Sequence, residues 1–297
     1  YLDGESFADA HQHDRDTVDS LGTAGNHRYQ TFSLLARSHL RTLQPINMNA
    51  IQRYRTDSPD LAEKVQASLN HLMAARTTWP GAWTQAHSLG AEDVVVTHLL
   101  HLSGWLAGPD SATVFVLNTQ ALHPQSITLI DELSQRYGIC MRQFAPEPAE
   151  LQHLLSSTKP RDIFESKAAR LTCCEVRKIR PLSRALAGHV GWITGLRRSQ
   201  SGGRASLNIV DTSQPITKLS PIADWTFGDV WAFIDNHQLP YNPLHDDFYP
   251  SIGCVPCTRA ISLGEDLRAG RWWWETDEGQ PTAKECGLHV NPIGAKS

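Results

Sequence analysis

Trp83-Thr84-Gln85-Ala86-His87-Ser88-Leu89-Gly90-Ala91-Glu92-Asp93 is the stretch whose reading decides the fold. Trp83 to His87 is expected to form a strand that runs into the turn Ser88-Leu89-Gly90. Glu92 and Asp93 then suit the first turn of a helix, where the helix dipole favours negative charge. A Ser/Gly turn between a strand end and a helix start presents backbone N–H groups to an anion. The stretch is not a Walker A loop, because no Gly-Lys-Ser/Thr follows. Val94, Val95 and Val96 favour a strand by propensity. The length of the segment and the helical set Val95, Leu99 and Leu102 assign Glu92 to His101 to a helix instead.

The pattern continues on the C-terminal side. Thr113 to Leu117 is a β-branched and aromatic run, hence a buried strand. Gln125 to Tyr137 predicts a helix with Ile127, Ile130 and Leu133 on its apolar side. Ile139 to Phe144 and Val190 to Leu196 predict further strands, and Thr226-x-x-Asp229 marks a helix start. Strands alternating with helices give an α/β fold with a largely parallel, Rossmann-like sheet. On the N-terminal side, Ser58 as cap and Pro59 at the first position open a helix with Leu61, Val65, Leu69 and Leu72 on one face.

Residues 1–47 lack sustained periodicity and read as a poorly structured extension, with a short helix over Leu34 to Leu43; the first Met is Met48. Residues 48–262 form the main α/β domain. Residues 263–297 form a C-terminal segment whose end, from Asn291, is expected to be mobile.

Hydrophobic residues make up 40% of the 297, enough for an ordinary core, and the net charge of −4 argues against a nucleic-acid-coating protein. No apolar run reaches the roughly 18–20 residues that span a bilayer. The N-terminus has neither the basic start nor the apolar middle of a secretory signal, so a cytoplasmic location is expected.

In a reducing compartment, cysteines suggest metal or catalysis before disulfides. Here Cys173-Cys174 is an adjacent pair and Cys254-Val255-Pro256-Cys257 a C-x-x-C turn. Four thiolates can hold zinc or an iron–sulfur cluster. Adjacent side chains diverge, which suits a cluster whose irons sit at separate corners better than a single zinc. A redox C-x-x-C with two buried thiols is the remaining reading. Cys286 stands apart, between Lys284 and His289, cations that lower a thiol's pKa. Taken alone it fits an incidental exposed cysteine as well as a nucleophile. Cations suited to oxyanions recur: Arg177, Lys178 and Arg180 after Cys174, Arg197 and Arg198 after a strand, Arg204 after Gly202-Gly203, and Arg268 and Arg271 before Trp272-Trp273-Trp274-Glu275. Singly, each fits a solvated surface charge. The three tryptophans read as packing, and His123 and Cys140 as structural.

In their order, these motifs resemble the adenylylsulfate/phosphoadenylylsulfate reductase family, whose fold is related to the adenine-nucleotide α-hydrolases with a PP-loop. The resemblance runs from about residue 54 to 290. It rests on Ser88-Leu89-Gly90-Ala91-Glu92-Asp93, Leu117-Asn118-Thr119 with Leu122-His123-Pro124, Phe164-Glu165-Ser166, and Cys173-Cys174-x-x-Arg177-Lys178. It continues in Gly195-Leu196-Arg197-Arg198-x-Gln200-Ser201, Ser251-Ile252-Gly253-Cys254-x-x-Cys257-Thr258-Arg259, Arg268-Ala269-Gly270-Arg271-Trp272-Trp273-Trp274-Glu275 and Glu285-Cys286-Gly287-Leu288-His289.

The resemblance implies the cluster-bearing branch, with a 4Fe–4S cluster on Cys173, Cys174, Cys254 and Cys257 and adenosine 5′-phosphosulfate as substrate. It implies that Cys286 attacks the sulfate sulfur, that AMP leaves, and that a thioredoxin- or glutaredoxin-like dithiol releases sulfite from the S-sulfocysteine. Lys178 and His289 are then expected at the reaction centre. Ser88, Gly90, Asn118, Thr119, Arg197, Arg204, Arg268 and Arg271 are expected at the substrate. Gln120 departs from the family's usual glycine in that turn. Competing readings are a reductase of the 3′-phosphorylated nucleotide or of both, a PP-loop ATP-dependent sulfur-transfer enzyme, and a non-catalytic iron–sulfur protein. Neither nucleic acid nor membrane is an expected partner, and the sequence leaves a homo-oligomer open.

Overall fold

A computed structural model describes residues 48–275. The helix expected over Leu34 to Leu43, the expected mobile end, Cys286 and His289 lie outside the described residues. Helices α1 (Ala50–Tyr54) and α2 (Leu61–Thr78) lead into β1 (Trp83–His87), α3 (Ala91–Leu102), β2 (Thr113–Leu117), α4 (Pro124–Tyr137) and β3 (Met141–Phe144). The chain continues through α5 (Pro148–Ser157), α6 (Asp162–Glu165), α7 (Lys167–Cys174), a π-helical turn (Glu175–Ile179) and α8 (Arg180–Leu186). It closes with β4 (Gly191–Ile193), β5 (Val210–Asp211), β6 (Thr217–Leu219) and α9 (Phe227–Asn236).

Among the described residues the strands form one sheet in the order β3-β2-β1-β4-β6-β5, parallel except for the antiparallel edge pair β5–β6. Thr84 pairs with Thr113 on one side and with Trp192 on the other. After β1 the chain builds outward to β2 and β3, then crosses back to place β4 on β1's other side. The strand order therefore reverses between β1 and β4. Open α/β sheets bind ligands outside the carboxyl ends of their strands at such a reversal.

The valine run of α3 is helical because of where it lies. Ala91, Val94, Val95, Val96, Leu99 and Leu100 are fully buried, between β1 and helices α2 and α9. A helix enclosed on all sides needs apolar residues all round, and burial overrides the modest helix penalty of valine.

Two local expectations are corrected. Ser58 does not cap α2. Asp60 takes the cap position, and the Ser58 hydroxyl donates to Asp229. Asp229 completes a capping box with Thr226 at the start of α9 and accepts Lys64 Nζ at 2.7 Å, so one carboxylate ties both helix starts together. In α4 the buried face is Ser126, Leu129, Ile130 and Leu133, while Ile127 is 48% exposed. That face turns toward Asn242, whose amide donates to the Ser126 hydroxyl at 2.8 Å. No helix among the described residues is long and apolar enough to cross a membrane.

Leu99→Ala is expected to lower unfolding free energy by about 2–5 kcal/mol in urea titrations, as for a fully enclosed leucine. Ile127→Ala is expected to change it by less than about 1 kcal/mol. Equal losses at the two sites would contradict the face assigned to α4.

Candidate active site

A pocket opens at the β1/β4 reversal. Its walls come from the β1–α3 turn, the ends of β2 and β4, the 195–204 loop, Lys178 of the π turn, and Ser251 to Cys254 with Arg268, Arg271 and Trp272. Of the residues expected at the substrate, Ser88, Gly90, Thr119, Arg197, Arg204, Arg268 and Arg271 all line it, together with Lys178 and Cys254. Asn118 does not. Its amide donates to Gln143 Oε1 at 2.9 Å, and its Oδ1 accepts the Gln120 N–H at 3.1 Å. Gln120 has φ +55°, a left-handed conformation that explains why a glycine suits this turn.

The β1–α3 turn is more self-contained than expected. The Ser88 N–H donates to Asp93 Oδ2 at 2.8 Å, and the Ser88 hydroxyl donates to the same oxygen at 2.5 Å. The Leu89 N–H donates to His87 Nδ1 at 2.9 Å. These two N–H groups hold the turn in shape and are not turned toward an anion. Donors for one remain at Ala91 and Glu92, in the first turn of α3, which lack intrahelical acceptors. Leu89 sits at φ +67° with its side chain fully buried, so core packing holds a conformation that leucine rarely adopts. Burial pushes the His87 imidazole down to about 3, so it stays neutral; with Nδ1 accepting, its proton is on Nε2.

Glu92 and Asp93 join this turn to the 195–204 loop. Asp93 Oδ1 accepts the Gly195 N–H at 2.8 Å. A Cβ on Gly195 would meet that oxygen at 2.6 Å, so glycine is required there by close approach. Glu92 Oε1 accepts Arg197 Nη2 at 2.8 Å, and both side chains are largely buried. Arg197 also donates to the Ser199 hydroxyl at 2.7 Å, so its guanidinium braces the pocket wall. Burial pushes the Asp93 carboxyl up to about 6 in spite of its donors. Burial also opposes ionisation of Glu92, but the Arg197 charge and its hydrogen bonds outweigh it and hold that carboxyl below its ordinary value.

On the opposite wall, α7 is capped by the Ser166 hydroxyl, which accepts the Ala169 N–H, and it ends on Cys173-Cys174. The chain passes without a break into the π turn, which carries Arg177 and Lys178. Single π turns inside helices recur at functional sites. Cys254 precedes a 3₁₀ turn that brings Cys257 back toward it. Cys174, Cys254 and Cys257 pack with Ile163 and Trp272 in one buried cluster, with Cys173 against it. Cys254 Sγ lies 3.3 Å from Thr119 Oγ1.

Burial alone would raise the Cys254 thiol, but Lys178, Thr119, Arg271 and Arg177 hold it below its ordinary value. Burial and the neighbouring Cys254 and Cys174 push Cys257 up to about 12. Four thiols this close cannot all ionise without a cationic centre among them. Among the described residues no three His, Cys, Asp or Glu groups converge tightly enough to hold one metal ion. The donor set is sulfur only, which is the chemistry of zinc and of iron–sulfur sites alike.

Arg271 crosses this wall. It donates to the Ile252 carbonyl at 3.0 Å and lies 4.6 Å from the Trp272 ring. A Cβ on Gly253 would meet its guanidinium at 2.4 Å, so Gly253 makes room for it. Trp272 is 1% exposed and packs on the cysteines, in line with a packing role. Arg170, itself buried, pairs with Glu275 through both carboxylate oxygens, a contact with no signal in the sequence. His123 is buried with its ring edge on Tyr249, whereas Cys140, expected to be structural, is exposed before β3.

Residues 82–260 match the phosphoadenosine phosphosulfate reductase domain. The chain belongs to this family. It is 46% identical over 206 residues to the adenosine 5′-phosphosulfate reductase of Allochromatium vinosum, covering 69% of this chain and 77% of that one. It is 43% identical over 238 residues to the adenosine 5′-phosphosulfate reductase of Burkholderia cepacia, covering 80% and 91%. In fold it is similar to the phosphoadenylyl-sulfate reductase of Candida auris in a phosphate complex, with a TM-score of 0.51, 22% identity, and 67% and 97% coverage. The family match runs from β1 past Cys257, so it takes in both loops of the pocket and the four clustered cysteines.

Arg197→Ala leaves Glu92 buried without its partner and is expected to cost about 3–5 kcal/mol at neutral pH. Without Arg197, burial raises the Glu92 carboxyl, and protonation relieves the penalty as pH falls. The unsubstituted protein instead loses Glu92's contribution below that group's ordinary pKa. The difference between the two proteins in urea should therefore shrink from pH 7 toward pH 4.5. A constant difference would show that Glu92 does not carry the effect.

Proposed function

We propose that the protein reduces adenosine 5′-phosphosulfate to sulfite and AMP. The observation that carries this reading is the convergence of Lys178, Arg204, Arg268 and Arg271 with Cys254 on one pocket at the β1/β4 reversal. The curated relatives above, adenosine 5′-phosphosulfate reductases by name, support the choice of nucleotide.

In this reading the Cys286 thiolate attacks the sulfate sulfur. The S–O bond to the phosphate breaks, and AMP leaves with that electron pair. The enzyme then carries Cys286 as an S-sulfocysteine. A thioredoxin- or glutaredoxin-like dithiol attacks the cysteine sulfur and expels sulfite, and its second thiol closes a disulfide and frees Cys286. The two electrons come from the donor dithiol. A thiolate approaching a sulfate ester brings anion to anion, and the cations lining the pocket lower that barrier and stabilise the leaving phosphate. His289, three residues after Cys286 in the sequence, is assigned to the reaction centre with it.

Cys173, Cys174, Cys254 and Cys257 would hold a 4Fe–4S cluster, which when bound supplies fixed charge and structural support next to the pocket. Lys178 faces both sides: it lines the pocket and acts on the charges of Cys254 and Cys257. The free thiol and the dithiol donor this scheme uses suit a reducing compartment such as the cytoplasm.

Cys286→Ser is expected to abolish turnover, and Lys178→Ala to lower kcat/KM about a hundredfold. Protein purified without oxygen should be brown, with about four irons per chain. Colourless protein with one zinc would remove the cluster from the proposal. Competition between adenosine 5′-phosphosulfate and its 3′-phosphorylated form decides the substrate, and a marked preference for the latter would overturn the choice made here.

A further inference from the structure

Gln200 stands between a carboxylate and a guanidinium on the pocket wall. Its Nε2 donates to Glu92 Oε1 at 3.0 Å. Its Oε1 accepts from Arg204 Nη1 and, at 3.1 Å, from the Arg197 N–H. The amide has one orientation open to it, because ionised Glu92 only accepts and a guanidinium only donates. Glu92 is itself held by buried Arg197 at the start of α3. Order thus passes from the rigid helix start through Glu92 and Gln200 to the Arg204 side chain.

Arg204 is the far end of this chain of bonds. It ends the short turn Gly202–Arg204, preceded by Ser201, on a stretch whose two glycines offer no side chains to brace it. An arginine side chain held by an acceptor before an anion arrives loses less rotamer freedom on meeting it. Gln200 is the right acceptor for the purpose. As a neutral acceptor it orients the guanidinium without adding a charge of its own, and both residues line the pocket.

We propose that Gln200 is a positioning residue that presents Arg204 to the anionic end of the bound sulfonucleotide. This rests on the reading above that the pocket takes adenosine 5′-phosphosulfate. A residue that merely supports the loop would affect binding whether or not Arg204 is present. A residue that acts through Arg204 loses its effect when Arg204 is gone.

The test is a double-mutant cycle on the full-length, cluster-loaded enzyme with Gln200→Leu, Arg204→Ala and the pair. With Arg204 present, Gln200→Leu should lower kcat/KM for adenosine 5′-phosphosulfate about tenfold, chiefly through KM; in the Arg204→Ala background the further loss should stay within about twofold. Equal losses in both backgrounds overturn the proposal. If Gln200→Leu fails to fold, Gln200→Ala goes through the same cycle under the same criterion. The unsubstituted enzyme keeps the two questions apart. Its failure to turn over adenosine 5′-phosphosulfate would sink the functional reading and this inference with it, whereas turnover with equal penalties sinks this inference alone.

Discussion

Two adjacent carboxylates at the start of a buried helix hold the site together. Asp93 bonds the Ser88 turn and the Gly195 N–H at once, and Glu92 bonds Arg197 and Gln200. The two loops they join leave the ends of β1 and β4, the strands between which the sheet order reverses. Without these bonds the crevice would have two independent lips. With them both lips are tied to the start of α3. The two carboxylates divide the electrostatic work. Glu92 stays charged because Arg197 answers it, while Asp93 is pushed toward neutrality by burial.

The opposite wall is built on a different principle. There the anions are sulfur and the cations surround them. Cys254 is the point of contact, because it belongs both to the buried cysteine cluster and to the pocket lining. Thr119 reaches its sulfur, Arg177 holds the Thr119 carbonyl at 2.5 Å, and Lys178 and Arg271 bring positive charge to it. The π turn matters to this arrangement because it carries Arg177 and Lys178 directly after Cys174. A change in the charge of the thiol cluster is therefore felt by the same cations that line the pocket. The Arg170–Glu275 pair fastens the end of the described chain to α7, the helix that bears Cys173 and Cys174.

How much could be read in advance depended on the range of the interaction. Strand β1, the turn and α3 follow from local pattern, and so do β2 and the start of α9, where Thr226 and Asp229 cap each other three residues apart. The four clustered cysteines were legible as two pairs. Ser58 and Ile127 depart from their local pattern for one reason: the environment of each comes from residues far along the chain, Asp229 and the surroundings of Asn242. Asn118 sits in the motif expected at the substrate, yet its amide is occupied by Gln143.

The sequence by itself determined the alternation of strands and helices, the family, and the residue types that chemistry at a sulfate ester requires. These are encoded in short-range periodicity and in motifs of a few residues. Only the tertiary structure decided which of those residues meet. It turned the Ser88 and Leu89 N–H groups inward, committed Arg197 to Glu92 while bringing Arg204 to the pocket, and set the cysteine pairs beside each other. The reason is that partners more than 70 residues apart, such as Glu92 with Arg197 and Cys174 with Cys254, are chosen by the sheet's strand order, which no local pattern specifies.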